Sequence, residues 1–361
     1  MRSILLTGAT GLLGRDVLAR LLAADARMHA FVLVRDTSRW AVASRDLPHS
    51  ERVTPIVGDL CIDALGLEPM VRHAVCRNIA GIVHLAADTT FSRPLAQSRA
   101  VNTEGTRRVL ELAAECASPP RVVFVSTAFV AGRRVGVIRE NETEHGAGWA
   151  NAYEQSKYEA EALVRAQVND WAIFRSSTVV CDDLDGRVTQ LNAVHRALQL
   201  YRNGLAAMMP GVAGSTVDAV TTSYVGRAVA ELAFSDDVSR KTVHLCAGEG
   251  SLPLQELLDI TWERWALDPS WRRRGIPRPA LADLATYALF ERSIEQVGDA
   301  SLKRVARALS YFAPQLAMPK QFETTTADAL LGAPAPVVRD FWIPMLDGLA
   351  AMHWRPEEKA A

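Results

Sequence analysis

The string Thr7-Gly8-Ala9-Thr10-Gly11-Leu12-Leu13-Gly14 constrains the fold of this chain more than any other. It follows an apolar run at 3–7 and opens an amphipathic stretch, Leu12–Ala24, so the glycines fall between a strand and a helix. Each has a job there. Gly8 lets the chain turn sharply, Gly11 lets a backbone approach a pyrophosphate, and Gly14 lets helix and strand pack closely. The backbone of Thr10, Leu12 and Leu13 completes a turn whose helix N-terminus offers free N–H groups and a positive dipole end to an anion. A structural glycine turn is the alternative. The position at residue 7 and a second strand at 30–34 favour a dinucleotide site.

The rest of the chain repeats the alternation. Strand signatures recur at 52–57, 81–85, 121–125 and 171–175, with a late one at 241–246. Helical stretches are expected at 64–77, 97–117, 150–168, 188–202 and 222–235, and 203–218 reads as a loop. Short strands joined through helices require a parallel sheet covered on both faces. The fold class is therefore α/β, a Rossmann-type doubly wound parallel sheet. Beyond Gly250 the texture changes to helical stretches at 253–267 and 280–292. This predicts a cofactor domain over 1–249 and a smaller, mostly helical substrate-side region over 250–361. With 361 residues, 49% of them hydrophobic, the chain can fill both cores.

The end of the second strand selects the cofactor. An acid there would accept from a ribose 2′-hydroxyl, but the sequence is Val34-Arg35-Asp36. The Arg35 guanidinium suits a 2′-phosphate, and Arg15 is placed to reach the same group. NADPH is expected, with Asp36 the competing acid for NAD. Asp59-Leu60 follows the third strand and suits an adenine edge, although Asp59 also fits an ordinary turn. In His84-Leu85-Ala86-Ala87, small residues such as Ala86 let a cofactor lie against backbone, whereas His84 fits a packed, hydrogen-bonded role.

Tyr153-Glu154-Gln155-Ser156-Lys157 lies on an expected helix, and a spacing of four puts Tyr153 and Lys157 on one face. A neighbouring ammonium is expected to lower the tyrosine pKa and ease proton delivery. Ser126-Thr127 closes the fifth strand at the edge where open sheets bind ligands, with Thr127 the candidate to hold a substrate oxygen and Ser126 the fallback. Asn102 reads either as an orienting residue for the site or as a helix-surface asparagine.

Composition excludes several classes. With 40 basic and 41 acidic residues and a formal charge of -1, no whole-chain field favours nucleic acid. Five scattered cysteines argue against a disulfide framework or a zinc knuckle and fit reduced thiols in the cytoplasm. No metal is expected. No apolar run is long enough to span a bilayer, and no signal peptide is read at the start.

Taken together, these strings resemble the extended short-chain dehydrogenase/reductase superfamily across about residues 3–250. The glycine turn, His84-Leu85-Ala86-Ala87, Phe124-Val125-Ser126-Thr127-Ala128-Phe129-Val130 and Asn151-Ala152-Tyr153-Glu154-Gln155-Ser156-Lys157-Tyr158-Glu159-Ala160-Glu161 are similar to its branch of fatty acyl reductases and terminal thioester reductase domains. The resemblance implies NADPH-dependent reduction of an acyl thioester, on coenzyme A or a carrier protein, to an aldehyde and onward to an alcohol. It gives Thr127 and Tyr153 the oxyanion, and Lys157 the tyrosine and the cofactor. Cys181 is read as packing. Ser176, Cys181 and Ser223 depart from the branch, where proline, glycine and an acid are common. The string Tyr311-Phe312-Ala313-Pro314 with Phe322-Glu323-Thr324-Thr325-Thr326 is similar to the C-terminal region of fatty acyl reductases. No adenylation or carrier module is read ahead of the first strand, so the acyl group is expected preactivated. Arg272, Arg273, Arg274 and Arg278 fit either a carrier's acidic surface or a solvated loop. Two other readings stay open: an oxidoreductase of a free ketone or alcohol, sterol-like or sugar-linked, and a nonenzymatic NADP-binding protein.

Overall fold

The structure, a computed structural model, describes residues 2–297, 303, 310 and 312–354. Seven strands form one sheet: β1 (Arg2–Thr7), β2 (Met28–Val34), β3 (Val53–Val57), β4 (Ile79–His84), β5 (Arg121–Thr127), β6 (Trp171–Ser176) and β7 (Lys241–Leu245). Their order is β7-β6-β5-β4-β1-β2-β3, every pair parallel. This is the Rossmann-type sheet expected from the alternation.

Strand periodicity builds two cores. Ile4, Leu6, Val123, Val125 and Phe174 point to one face, against Val17 and Leu21 of α1 (Leu12–Ala24) and Val225 and Val229 of a helix at Thr222–Leu232. Leu5, Val122, Phe124 and Ile173 point to the other. They meet Val109 of α4 (Leu95–Glu115) and Ala160 and Val164 of α5 (Ala152–Gln167), beyond α2 (Thr37–Ala43) and α3 (Pro69–Asn78) in the chain. With both faces covered, the central strands are apolar throughout, and each fully buried aliphatic side chain stabilises by about 1.5–3 kcal/mol.

The chain runs outward from β1 to β3, then returns to β4 on the far side of β1. The crevice beyond the carboxyl ends of β1 and β4 is therefore a topological switch point, where open sheets bind ligands.

Local chemistry revises some boundaries. The stretch expected to be helical from 64 begins its helix only at Pro69, a residue suited to a first helical position. Before it, Ala64 and Leu65 take left-handed dihedrals in a short turn, and the Leu65 carbonyl accepts from Asp59 N at 2.8 Å. The stretch from 280 opens as a strand, Ala280–Ala282, paired with Met208–Pro210 inside the expected loop, and the helix follows at Leu284–Val297. Lys320–Phe322 pairs with Gly136–Ile138. A third core joins Val180, Leu198, Tyr201 and Ala219 to Leu252, Leu257, Trp265, Phe341 and Trp342. Among the described residues, no helix is long and apolar enough to cross a membrane.

Candidate active site

The glycine turn is built by close approach. Gly8 has φ +81°, and a Cβ there would lie 2.7 Å from Ala86 N. That amide donates to Thr7 Oγ1 at 3.2 Å, so β1 and the end of β4 share one hydrogen-bonded edge. A Cβ on Gly14 would lie 2.0 Å from the Gly8 carbonyl oxygen, which fixes how α1 leaves the turn. Gly11 caps α1 with no side-chain hydrogen bond and no acid follows in the first turn. The helix dipole and its amides thus face the crevice without a built-in anion. A dinucleotide pyrophosphate fits this cradle, with Thr10, Leu12 and Leu13 around it.

The end of β2 is sorted by capping. Asp36 accepts from Ser38 N at 2.8 Å and Arg39 N at 3.4 Å as the N-cap of α2, so the competing acid is already engaged. Arg35 is exposed and, among the described residues, has no ion pair. Arg15 makes only a long surface contact with Asp46, 4.0 Å. Arg39 is exposed and makes a long contact with Asp36, 3.9 Å.

Several other candidates have structural work. Asp59 Oδ1 accepts from Cys61 N at 2.8 Å, the ordinary turn. Leu60 is buried and packs where a Cβ on Gly105 would come within 3.0 Å, locking α4 against the third strand's end. His84 is buried between Thr7 Oγ1 at 2.6 Å and Thr106 Oγ1 at 3.0 Å. Burial, reinforced by the charge of Lys157, pulls its pKa down to about 3, so it stays neutral. Cys181 is buried with Sγ toward Asp183 O, and burial raises its thiol to about 12. Ser223 donates to Asp183 Oδ1 at 2.8 Å, serving the loop before it. Arg274 donates to the carbonyls of Arg202 and Asn203, and Arg278 binds Asp259 and Glu263 over the Trp262 ring. Arg272 and Arg273 are exposed. Tyr311 lies outside the described residues. Among the described residues, no group of three or more His, Cys, Asp or Glu side chains could hold a metal.

The structure brings Thr127, Tyr153 and Lys157 together at the carboxyl end of β5. Asn151 caps α5 by accepting from Glu154 N at 3.0 Å, which aims the first turn of that helix at the sheet edge. Lys157 is 2% exposed, donates to Val125 O at 2.8 Å and lies 3.9 Å from the Phe124 ring centroid. Burial pulls its pKa down to about 7 against the upward pull of Glu161. Thr127 is buried, its Oγ1 accepts from Phe129 N at 3.3 Å, and its hydroxyl faces the Tyr153 phenol. Ser126 points the other way along the strand, and its buried hydroxyl has no hydrogen-bond partner among the described residues.

The expected lowering of the Tyr153 pKa is overturned. Its side chain is partly exposed, yet the phenol end is desolvated, and burial pushes its pKa up to about 12 against the lowering pull of the Thr127 hydroxyl. The Lys157 ammonium is turned to a backbone carbonyl instead. Tyr153 is thus a neutral phenol at neutral pH, the form that gives a proton.

Asn102 is buried rather than on a helix surface. Its Oδ1 accepts from Asp88 N at 2.8 Å, and its Nδ2 donates to Asp88 O and Ser156 Oγ, both at 2.9 Å. It binds the loop after β4 to the Tyr-Lys helix. Sequence reading also missed Asp218, buried and accepting from Ala247 N at 2.8 Å and Gly248 N at 3.0 Å, with burial raising its pKa to about 6.

Comparison with known proteins agrees with this geometry. Residues 6–229 match the family described as "Male sterility protein". The chain is 27% identical over 263 residues to a component of the linear gramicidin synthase of Brevibacillus parabrevis, covering 68% of this chain and 5% of that protein. It is 27% identical over 164 residues to fatty acyl-CoA reductase 8 of Arabidopsis thaliana, covering 38% of this chain and 33% of that one. The chain therefore spans a third or less of the length of either relative. Among solved structures, the terminal R domain from the myxalamid PKS-NRPS pathway superposes with a TM-score of 0.78 at 22% identity, covering 98% of this chain and 92% of that one. Similar in fold is the NADPH complex of yeast methylglyoxal/isovaleraldehyde reductase, with a TM-score of 0.66 at 15% identity, 98% of this chain and 99% of that one. The chain belongs to the male sterility protein family.

Proposed function

We propose that this chain is an NADPH-dependent reductase of acyl thioesters, releasing a thiol and an aldehyde, with onward reduction to the alcohol. The observation that carries the chemistry is the Thr127 hydroxyl facing the Tyr153 phenol at the carboxyl edge of the sheet, beside the Gly8–Ala86 approach. The thioester reading draws on relatives named for fatty acyl-CoA reduction and for peptide synthesis, and on fold likeness to a thiolation-reductase di-domain. A carrier protein or coenzyme A would present the acyl group.

The division of labour follows from the side chains. Gly8, Gly11 and Gly14, with the amides of α1, would hold the pyrophosphate, and Ala86 would line the cofactor's path. Arg15 and Arg35 would hold the 2′-phosphate, with Asp59 and Leu60 near the adenine. Bound NADPH supplies the hydride. Thr127 and Tyr153 orient the carbonyl oxygen and stabilise its developing charge. The hemithioacetal oxyanion then collapses as the C–S bond breaks, expelling a thiolate that takes its proton from solvent. When an alcohol is the product, a second NADPH supplies the hydride and Tyr153 delivers its proton to the new oxyanion. Lys157, whose Nζ donates to Val125 O, would hold the nicotinamide ribose. Residues 1–249 form the cofactor and catalytic part and 250–361 the substrate side, supported by Gln315, which donates to Glu154 Oε1 at 2.8 Å. A cytoplasmic setting is supported by five free cysteines, four of them buried.

The test is a panel of acyl-CoA and carrier-bound acyl thioesters with NADPH, following absorbance, free thiol and aldehyde together. Thiol release matched to aldehyde supports the reading. NADPH oxidation with free ketones and no thiol from any thioester would replace it with the ketone/alcohol reading, which the fold likeness to a methylglyoxal/isovaleraldehyde reductase favours. Arg35→Ala should weaken NADPH binding about tenfold to a hundredfold, the loss of a charge-assisted contact, and leave NADH binding nearly unchanged. Titration of both cofactors by fluorescence checks it, and equal NADPH affinity in both proteins would remove Arg35 from the phosphate site.

A further inference from the structure

Phe91 lies on the loop between β4 and α4, and its ring stacks on Tyr153 with centroids 5.4 Å apart and planes at 26°. A second ring, Phe312 from the C-terminal region, sits 4.9 Å from Phe91 at 45°. Both supports of this stack are anchored to α5. The loop is held through Asp88, whose N–H and carbonyl are both bonded to Asn102, itself bonded to Ser156 on α5. The C-terminal segment is held through Gln315, which donates to Glu154, the residue next to Tyr153. Glu154 also faces the buried Lys320, whose strand pairs with Gly136–Ile138.

A tyrosine ring turns about two bonds. The Thr127 hydroxyl that faces the phenol leaves the ring plane free to swing. A stacked ring removes that freedom and excludes water from the phenol. We propose that Phe91, clamped from behind by Phe312, is a positioning residue for the Tyr153 phenol, so that the C-terminal segment sets the geometry of proton delivery through an aromatic bridge. The inference rests on the reading of Tyr153 as the proton donor.

The test uses the full chain labelled with 3-fluorotyrosine, with the Tyr153 fluorine resonance assigned by its loss in Tyr153→Phe. Charged groups around the stack are Glu154 and Lys157 on α5, Asp88 and Arg93 on the loop, and Lys320. All remain in Phe91→Ala and Phe312→Ala, so a changed titration reports hydration of the phenol. Desolvation holds the phenol pKa up, so admitting water lowers it. Phe91→Ala should move the Tyr153 titration to lower pH and reduce kcat roughly threefold to tenfold with the KM for NADPH unchanged. Phe312→Ala should act in the same direction more weakly, and Phe91→Tyr should restore both readouts. Unchanged titration and kcat in both alanine variants would overturn the clamp. The fluorine readout needs no turnover. A wild-type protein that releases no thiol would therefore remove the substrate reading while a shifted titration upholds the clamp.

Discussion

Tyr153→Phe lowers turnover by about 10²- to 10⁴-fold while leaving NADPH affinity within about twofold, the signature of losing a positioned proton donor. The substitution removes one oxygen and little else. The ring keeps its stack on Phe91, and the capping of α5 by Asn151 does not involve the phenol. What goes is the phenol hydroxyl that faces Thr127 at the sheet edge, neutral and able to give a proton at neutral pH. Single-turnover NADPH oxidation against equilibrium cofactor binding separates the two effects. A pH dependence accompanies it. Lys157 has its pKa pulled down to about 7, so it carries charge below that pH and loses it above. An uncharged Lys157 would hold the cofactor ribose less firmly and stabilise less of the negative charge developing at the carbonyl oxygen, so kcat/KM of the wild type should fall through about pH 7. A Phe variant with near-normal turnover would remove Tyr153 from the chemistry.

Gly8→Ala should reduce NADPH affinity on the order of 10²-fold, combining a left-handed dihedral penalty of about 1–2 kcal/mol with overpacking of about 1–3 kcal/mol. The dihedral is +81°, and the new Cβ would sit 2.7 Å from a backbone amide that has no side-chain freedom to yield. Relief requires β1 and the end of β4 to separate, which spoils the edge on which the cofactor would lie. Gly136→Ala is the control. Its φ is +82° with nothing within 4 Å of the added carbon, so it carries the dihedral penalty without the collision. Calorimetric titration of both variants with NADPH decides the point. Equal affinities would show that close approach at Gly8 is not what builds the site.

The parts of this protein that were legible in sequence are those whose causes are local. A parallel sheet buried on both faces writes itself as apolar runs, and α1 spans 12–24 as its periodicity requires. Tyr153 and Lys157 were legible because four residues make one helical turn. Other features depend on partners far along the chain. Phe91 meets Tyr153 and Phe312 across gaps of 62 and 221 residues, and no spacing rule connects them. The strands Met208–Pro210 and Lys320–Phe322 are three residues long, too short for alternation to show, and each exists because a distant strand pairs with it. The direction of the Tyr153 pKa was misjudged because helical spacing gives proximity but not desolvation. Asp36 reads in sequence as a competing acid for NAD, and only the amides of Ser38 and Arg39 show that it caps a helix instead.

One measurement goes straight to the arrangement on which the chemistry depends: a crystal structure of the chain with NADPH and a nonreducible acyl thioester analogue. The expected complex has the nicotinamide ring beside the Tyr153 hydroxyl, Thr127 on the carbonyl oxygen, Lys157 on the ribose and the 2′-phosphate at Arg35. A nicotinamide lying away from Tyr153 and Lys157, or a thioester carbonyl out of reach of both hydroxyls, would contradict it.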